Sequence, residues 1–359
     1  MRILPLFMLL AATSHADVSR LTVPPGFEIS VVTNAVPDAR QMAETESGLV
    51  FVGTRRAKKI YAVDPRKTPA EVTTIASGLT LPSGIALVGN DLYVGALNVI
   101  LRYPDAESRF RLGLTPEIVT ESLPKNRWHG WRHLSTGPDG YLYVAVGAPC
   151  NVCKRSDPRF GSILRMDPAT GDATVYARGI RNTVGMDWHP DTHELWFSDN
   201  GADNLGDDVP PDEINHVEAA ASHFGFPYVH AGTILDSKFG KDASADEFVP
   251  PIVKIQAHSA ALGIAFYSGE QFPESYRGAL FIAEHGSWNR SSKVGYRVSV
   301  VKFIDQMPVY EPFVTGWLVG KKNWGRPADV IAARDGSLLI SEDQDGVIYR
   351  VRYVGDGGR

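Results

Sequence analysis

No extended block of Lys and Arg interrupts this chain, and 36 basic against 41 acidic residues leave a formal charge of −5. The cationic footprint of a nucleic-acid binder is therefore absent. No apolar run reaches the ~18 residues of a membrane span, and no segment sustains the 3.6-residue hydrophobic repeat of a helix. Cysteine is nearly missing: Cys150 and Cys153 are the only two, too few for a four-thiolate zinc site. Lys154 stands where c-type haem attachment needs His, and no βαβ context supports a thioredoxin-like motif. No G-x-S-x-G occurs, so the commonest serine-hydrolase turn is absent. No break in composition marks a second domain.

Glycine and proline are abundant, at 34 and 24 residues, while 43% hydrophobic and 21% charged residues describe a folded chain. Many turns imply many short elements. The first sixteen residues read as a secretory leader: Arg2, an apolar run from Ile3 to Ala12, and the small-x-small site Ser14-His15-Ala16. The expectation is residues 1–16 as signal peptide, residues 17–354 as one domain, and residues 355–359 as a flexible tail. Export to the periplasm or beyond would place Cys150 and Cys153 in an oxidising compartment, where they should form a disulfide tightening a local loop.

One pattern recurs six times. An alternating strand follows a turn containing Gly, Asn or Asp, and a second alternating strand comes later. The copies are anchored at Leu49, Leu92, Leu142, Leu195, Leu280 and Leu338. Period-2 alternation with D-G and N-D turns marks β-hairpins, and the spacing suits the ~40 to 50 residues of a four-stranded propeller blade with inserted loops. The predicted fold is all-β, a six-bladed β-propeller of four-stranded antiparallel blades, with a pair of β-sandwiches as the alternative. Phe27 to Val32, a strand pattern ahead of the first repeat, could close the ring.

In such a ring, residues just before a blade's first strand and just after its second crowd around one mouth of the central channel. The first position holds His129 beside Trp128, Arg181-Asn182, His258 and Arg326; the second holds Asn200-Gly201 and the run from His285 through Trp288, Asn289 and Arg290. Two guanidiniums suit an anionic planar ligand. Inter-blade salt bridges would account for the arginines individually, and a solvated loop for His129. The stretch Ser198–Asn215 concentrates six carboxylates. It lacks the EF-hand order, yet hard oxygen donors with Gly carbonyls suit Ca²⁺ better than Zn²⁺; a solvated acidic loop is the plainer account.

HGWRHLSTGPDGYLYVAVG from His129, ARGIRNTVGMDWHP from Ala177, LWFSDNGADNLGDDVPPDEIN from Leu195, FIAEHGSWNR from Phe281 and GRPADVI from Gly325 together resemble the soluble sugar dehydrogenases that depend on pyrroloquinoline quinone (PQQ), in their glucose/sorbosone dehydrogenase branch. The resemblance implies a six-bladed propeller that oxidises an aldose or related sugar aldehyde and passes electrons to an external acceptor. It implies His129 as general base, Arg181 as a catalytic and cofactor-binding residue together with Asn182 at the quinone oxygens, Arg326 on a PQQ carboxylate, and Ca²⁺ held by the carbonyls of Gly201 and Ala202. A neutral imidazole suits the removal of a hydroxyl proton, while Ca²⁺ and Arg stabilise charge on the quinone. The chain departs from the pattern at Ala202, where Pro is usual, and at Trp128, where glucose-active members have Asp. A cofactor-contacting Gln would fall near Leu79 and a Lys near Gly286, with His285, Trp288, Asn289, Arg290 or Lys322 as candidate replacements. A non-catalytic binding propeller and a Ca²⁺-dependent lactonase are the alternatives.

Overall fold

The computed structural model describes residues 17–355; the predicted leader and all but the first residue of the predicted tail lie outside them. Six four-stranded antiparallel sheets account for 24 strands, and two small hairpins for the rest. Blade one is Ala39–Glu44, Val50–Thr54, Lys59–Asp64 and Glu71–Ser77; blade two is Pro82–Val88, Asp91–Ala96, Val99–Tyr103 and Glu117–Thr120. Blade three is Leu134–Thr136, Leu142–Val146, Ser162–Met166 and Ala173–Arg178; blade four is Met186–Trp188, Leu195–Asp199, Asp212–Val217 and Val253–Ile255. Blade five is Ala261–Phe266, Leu280–Glu284, Arg297–Ile304 and Met307–Val314. Blade six is Pro327–Ala332, Leu338–Glu342 and Val347–Tyr353, completed on its outer edge by Phe27–Thr33 from the other end of the chain. The strand pattern at Phe27 thus closes the ring.

The second strand of each blade is covered on both sheet faces by its neighbours, which is why these strands read as nearly unbroken apolar runs. All six anchor leucines are at most 1% exposed, so Leu→Ala at any of them would cost about 2–5 kcal/mol. The core is divided into six clusters, each wedged between two adjacent blades. The first strands touch one another in a closed ring about the axis, blade six meeting blade one.

Polar side chains stitch that inner ring. Asp329 of blade six accepts the Met42 N–H of blade one (2.8 Å), and Asp187 of blade four accepts the Phe266 N–H of blade five (2.7 Å). His133 Nε2 accepts the Met186 N–H (3.2 Å), and Gln41 accepts those of Ile85 and Leu134 at 3.0 and 3.1 Å. Just beyond the second strand of blade three, Cys150 and Cys153 are joined in a disulfide.

Candidate functional site

The loops entering the first strands and leaving the second strands meet at one mouth of the channel. His129, Arg181, Asn182, Gly201, His258, His285, Trp288, Asn289 and Arg326 all line a single cavity there of ≈ 390 Å³. The opposite mouth holds a larger cavity of ≈ 530 Å³ whose lining contains no Arg or Lys. Arg290, Ala202 and Trp128, by contrast, do not line the cationic cavity. Arg290 donates instead to the Asp207 carbonyl and the Asp208 carboxylate, and the Ala202 side chain is fully buried beside it.

His129 is buried and held at φ 50°, a left-handed conformation costly for a residue with a side chain. Its surroundings impose it. Arg132, itself buried, donates to the His129 carbonyl (3.3 Å) and the Pro124 carbonyl (2.7 Å), anchoring the loop from below. Gly147 faces it, and a Cβ there would lie 2.5 Å from the His129 Cβ. The histidine is therefore no solvated loop residue. Nδ1 lies 2.8 Å from the Ala148 carbonyl, which can only accept. Nδ1 therefore carries the proton and Nε2 is left with its lone pair. Burial, reinforced by the Arg181 charge, pushes the imidazole down to about 3, so it is neutral at physiological pH.

Arg181 is buried and almost fully engaged. Nε donates to the Asn151 carbonyl (2.9 Å), Nη1 to the Asn200 carbonyl (3.0 Å), and Nη2 to Asn151 Oδ1 (2.9 Å) and Asp203 (2.8 Å). Beneath it, Asp199 accepts the backbone N–H groups of Arg181 (2.8 Å) and Asn182 (2.5 Å). Asp212 similarly accepts those of Gly201 (2.8 Å) and Ala260 (2.7 Å), and burial pushes this carboxyl up to about 7. Glu342 accepts the Arg326 N–H (2.7 Å). The acidic stretch of blade four is thus a set of loop clamps, and among the described residues no group of three His, Cys, Asp or Glu side chains could hold a metal. The backbone carbonyls of Gly201 and Ala202 accept no hydrogen bond among the described residues.

Arg326 spends Nε and Nη2 on the carbonyls of His285 and Gly286, both at 3.2 Å. His285 donates from Nε2 to Asp343 (2.9 Å), and Arg40 Nε lies 3.2 Å from the same carboxylate. Burial pushes His285 down to about 4, leaving it neutral. Burial also acts to raise Asp343, but the hydrogen bond from His285 and the charges of Arg40 and Arg326 outweigh it and hold that carboxyl well below the usual range. Gly286 has φ 100°, and a Cβ there would lie 2.4 Å from the Tyr296 ring, so no lysine fits at that position. Leu79 packs against the core between blades one and two rather than facing the cavity, and Lys322, in one of the small hairpins, does not line it either. Sequence reasoning passed over Arg40, Arg55, Arg56, Trp131 and Asn151, of which the first four also line the cavity. Arg55 and Asn151 follow second strands, the register position that marks Asn200 and His285.

A sequence profile described as Glucose / Sorbosone dehydrogenase matches residues 98–350. An uncharacterized protein of Borreliella burgdorferi is 35% identical over 97% of this chain and 95% of its own length. Among solved structures, the holo form of the pyranose dehydrogenase PQQ domain from Coprinopsis cinerea superposes with a TM-score of 0.77 at 16% identity, covering 92% of this chain and 97% of that one. The calcium structure of Trichoderma reesei Carbohydrate-Active Enzymes Family AA12 gives a TM-score of 0.78 at 18% identity, covering 93% and 97%. At such identities these structures establish the six-bladed architecture.

Proposed function

The chain belongs to the glucose/sorbosone dehydrogenase family, and we propose that within it the protein is a PQQ- and Ca²⁺-dependent dehydrogenase oxidising an aldose or related sugar aldehyde. The observation that carries this reading is His129. A buried imidazole, neutral and with its tautomer fixed by the Ala148 carbonyl, lines a cavity otherwise rich in guanidinium groups. That combination suits proton removal from a neutral hydroxyl beside an anionic, electron-accepting guest. The likeness to a PQQ domain and to a calcium-containing structure supports the cofactor pair.

The cavity fits such a guest by its donor set. Arg326 keeps Nη1 free of protein acceptors, suiting a carboxylate, and Arg181 and Asn182 line the same cavity. The Gly201 and Ala202 carbonyls are the ligands offered to Ca²⁺. Bound here, PQQ would supply a two-electron acceptor for the carbon-bound hydrogen, and Ca²⁺ would stabilise the negative charge that develops. The chain's own part is proton transfer and placement. The sugar hydroxyl gives its proton to His129 Nε2, and the resulting imidazolium keeps its Nδ1–H on Ala148. Arg181 cannot swing away, because Asn151, Asn200 and Asp203 fix it. Trp128, 54% exposed, packs edge-on against His129 at 5.9 Å between ring centroids.

No helix among the described residues is long and apolar enough to cross a membrane. The disulfide supports our placing the protein in the periplasm or outside the cell, handing electrons to an external acceptor. Titrating the protein with PQQ and Ca²⁺, then adding a panel of sugars and a redox dye, tests the reading. Expected are a change in quinone absorbance and sugar-dependent dye reduction that His129→Ala abolishes while PQQ still binds. Absence of both the spectral change and turnover overturns it.

A further inference from the structure

Blade one brings a second cationic feature to the cavity. Asp38 sits at φ 61°, and its Oδ2 accepts the backbone N–H groups of Arg55 (2.7 Å), Arg56 and Ala57 (3.0 Å). Three donors on one oxygen lock the turn that follows Val50–Thr54 and fix where Arg55 emerges. The Arg55 guanidinium lies over the Trp131 ring, 4.1 Å from its centroid, and Trp131 Nε1 donates to Asn182 Oδ1 (3.0 Å). Arg55, Trp131 and Asn182 all line the cavity.

Among the described residues no carboxylate or carbonyl accepts from the Arg55 side chain. Its neighbours are spent or like-charged: Arg40 pairs with Asp343, and Asp203 is taken by Arg181. Burial, with the charges of Arg40 and Arg56, pushes Arg55 down to about 10, which leaves it ionised at neutral pH. A half-buried, ionised and unpaired guanidinium is costly unless an anion arrives to meet it. Seated over the indole with no protein acceptor on its N–H groups, the guanidinium keeps the donors that bidentate capture of a carboxylate uses.

We propose that Arg55, seated on Trp131, is a carboxylate-binding subsite of the cavity, which, on the functional reading above, takes a carboxylate either of the cofactor or of an acidic sugar. The test compares the full-length protein with Arg55→Gln and Arg55→Lys in two measurements, with thermal melting to confirm folding. One is PQQ affinity by absorbance titration in the presence of Ca²⁺. The other is calorimetric binding of D-glucuronate against D-glucose. If the carboxylate is the cofactor's, Arg55→Gln weakens PQQ binding by about 10- to 100-fold and Arg55→Lys retains part of it. If it is the sugar's, PQQ binding is unchanged and the advantage of D-glucuronate over D-glucose disappears in Arg55→Gln. Affinities for both PQQ and D-glucuronate that are unmoved in a folded Arg55→Gln overturn the subsite. A wild-type protein that takes up no PQQ refutes the cofactor reading instead, and the D-glucuronate arm then decides the subsite alone.

Discussion

Asn151 meets Arg181 twice, its carbonyl accepting from Nε and its side-chain oxygen from Nη2, each at 2.9 Å. It also exchanges hydrogen bonds with the Asp203 backbone in both directions at 2.8 Å. Asn151 lies within the four-residue loop closed by Cys150 and Cys153, so the disulfide is part of the apparatus that aims Arg181. Cys150→Ser with Cys153→Ser should cost about 2 kcal/mol of stability for so short a loop. The ring should still form, and cofactor affinity should fall by about tenfold through the freed Arg181. Paired melting and PQQ titrations check this; an unchanged affinity would separate the disulfide from the site.

Two substitutions around His129 should act differently on turnover and binding. His129→Gln keeps the shape of the side chain but removes the base, and should lower kcat by about 10²–10⁴-fold with PQQ affinity nearly intact. Gly147→Ala forces a methyl group against the His129 Cβ and should lower kcat by displacing the imidazole. Steady-state kinetics beside PQQ titration resolves both. Full turnover in His129→Gln would remove this residue from the base role.

The working form of His129 is neutral, and its protonation is pushed from the ordinary 6.5 down to about 3. On the proposed reading, His129 stops acting as base only where its imidazole takes up a proton, so its own titration should leave kcat/KM level from pH 7 to about pH 5 rather than falling through the usual histidine range. A pH–rate profile with its acid limb near 6.5 would contradict the burial argument.

Asp329 predicts a pH dependence of stability. Burial pushes its carboxyl up to about 8, with Asp187 adding to the rise. The folded protein therefore holds a proton that the unfolded chain has released, and this contribution is complete below pH ~4 and disappears as pH climbs toward 8. Asp329→Asn cannot titrate, so wild type should lose ground to it steadily between pH 5 and 8. Melting temperatures of the pair across that range provide the check; a constant difference would mean that Asp329 ionises at an ordinary pH.

The fold was legible because each second strand is buried on both faces, leaving a leucine and an apolar run at every blade. The same regularity placed His129, Arg181 and Arg326 at one mouth, since the register of a strand dictates where its ends fall. Less visible were residues whose role depends on partners distant in sequence. Asp203 reads as one of many acids until Arg181 and Asn289 are seen on it, and Arg290 reads as a cavity residue until Asp207 and Asp208 capture it. Arg55 occupies the very register position that flagged Asn200, but nothing in the stretch TRRAKKI announces that its guanidinium goes uncompensated.

The outermost strand of blade six is drawn from residues 27–33 and pairs with residues 347–353. A nascent polypeptide lacking its last turns would hold five finished sheets and an open seam, with Arg326 on the unfinished one. On the proposed reading, the small-molecule guest meets a closed rim only once both ends of the polypeptide have come together in blade six. On that reading, a copy truncated near either end should hold its guest less well than the intact polypeptide.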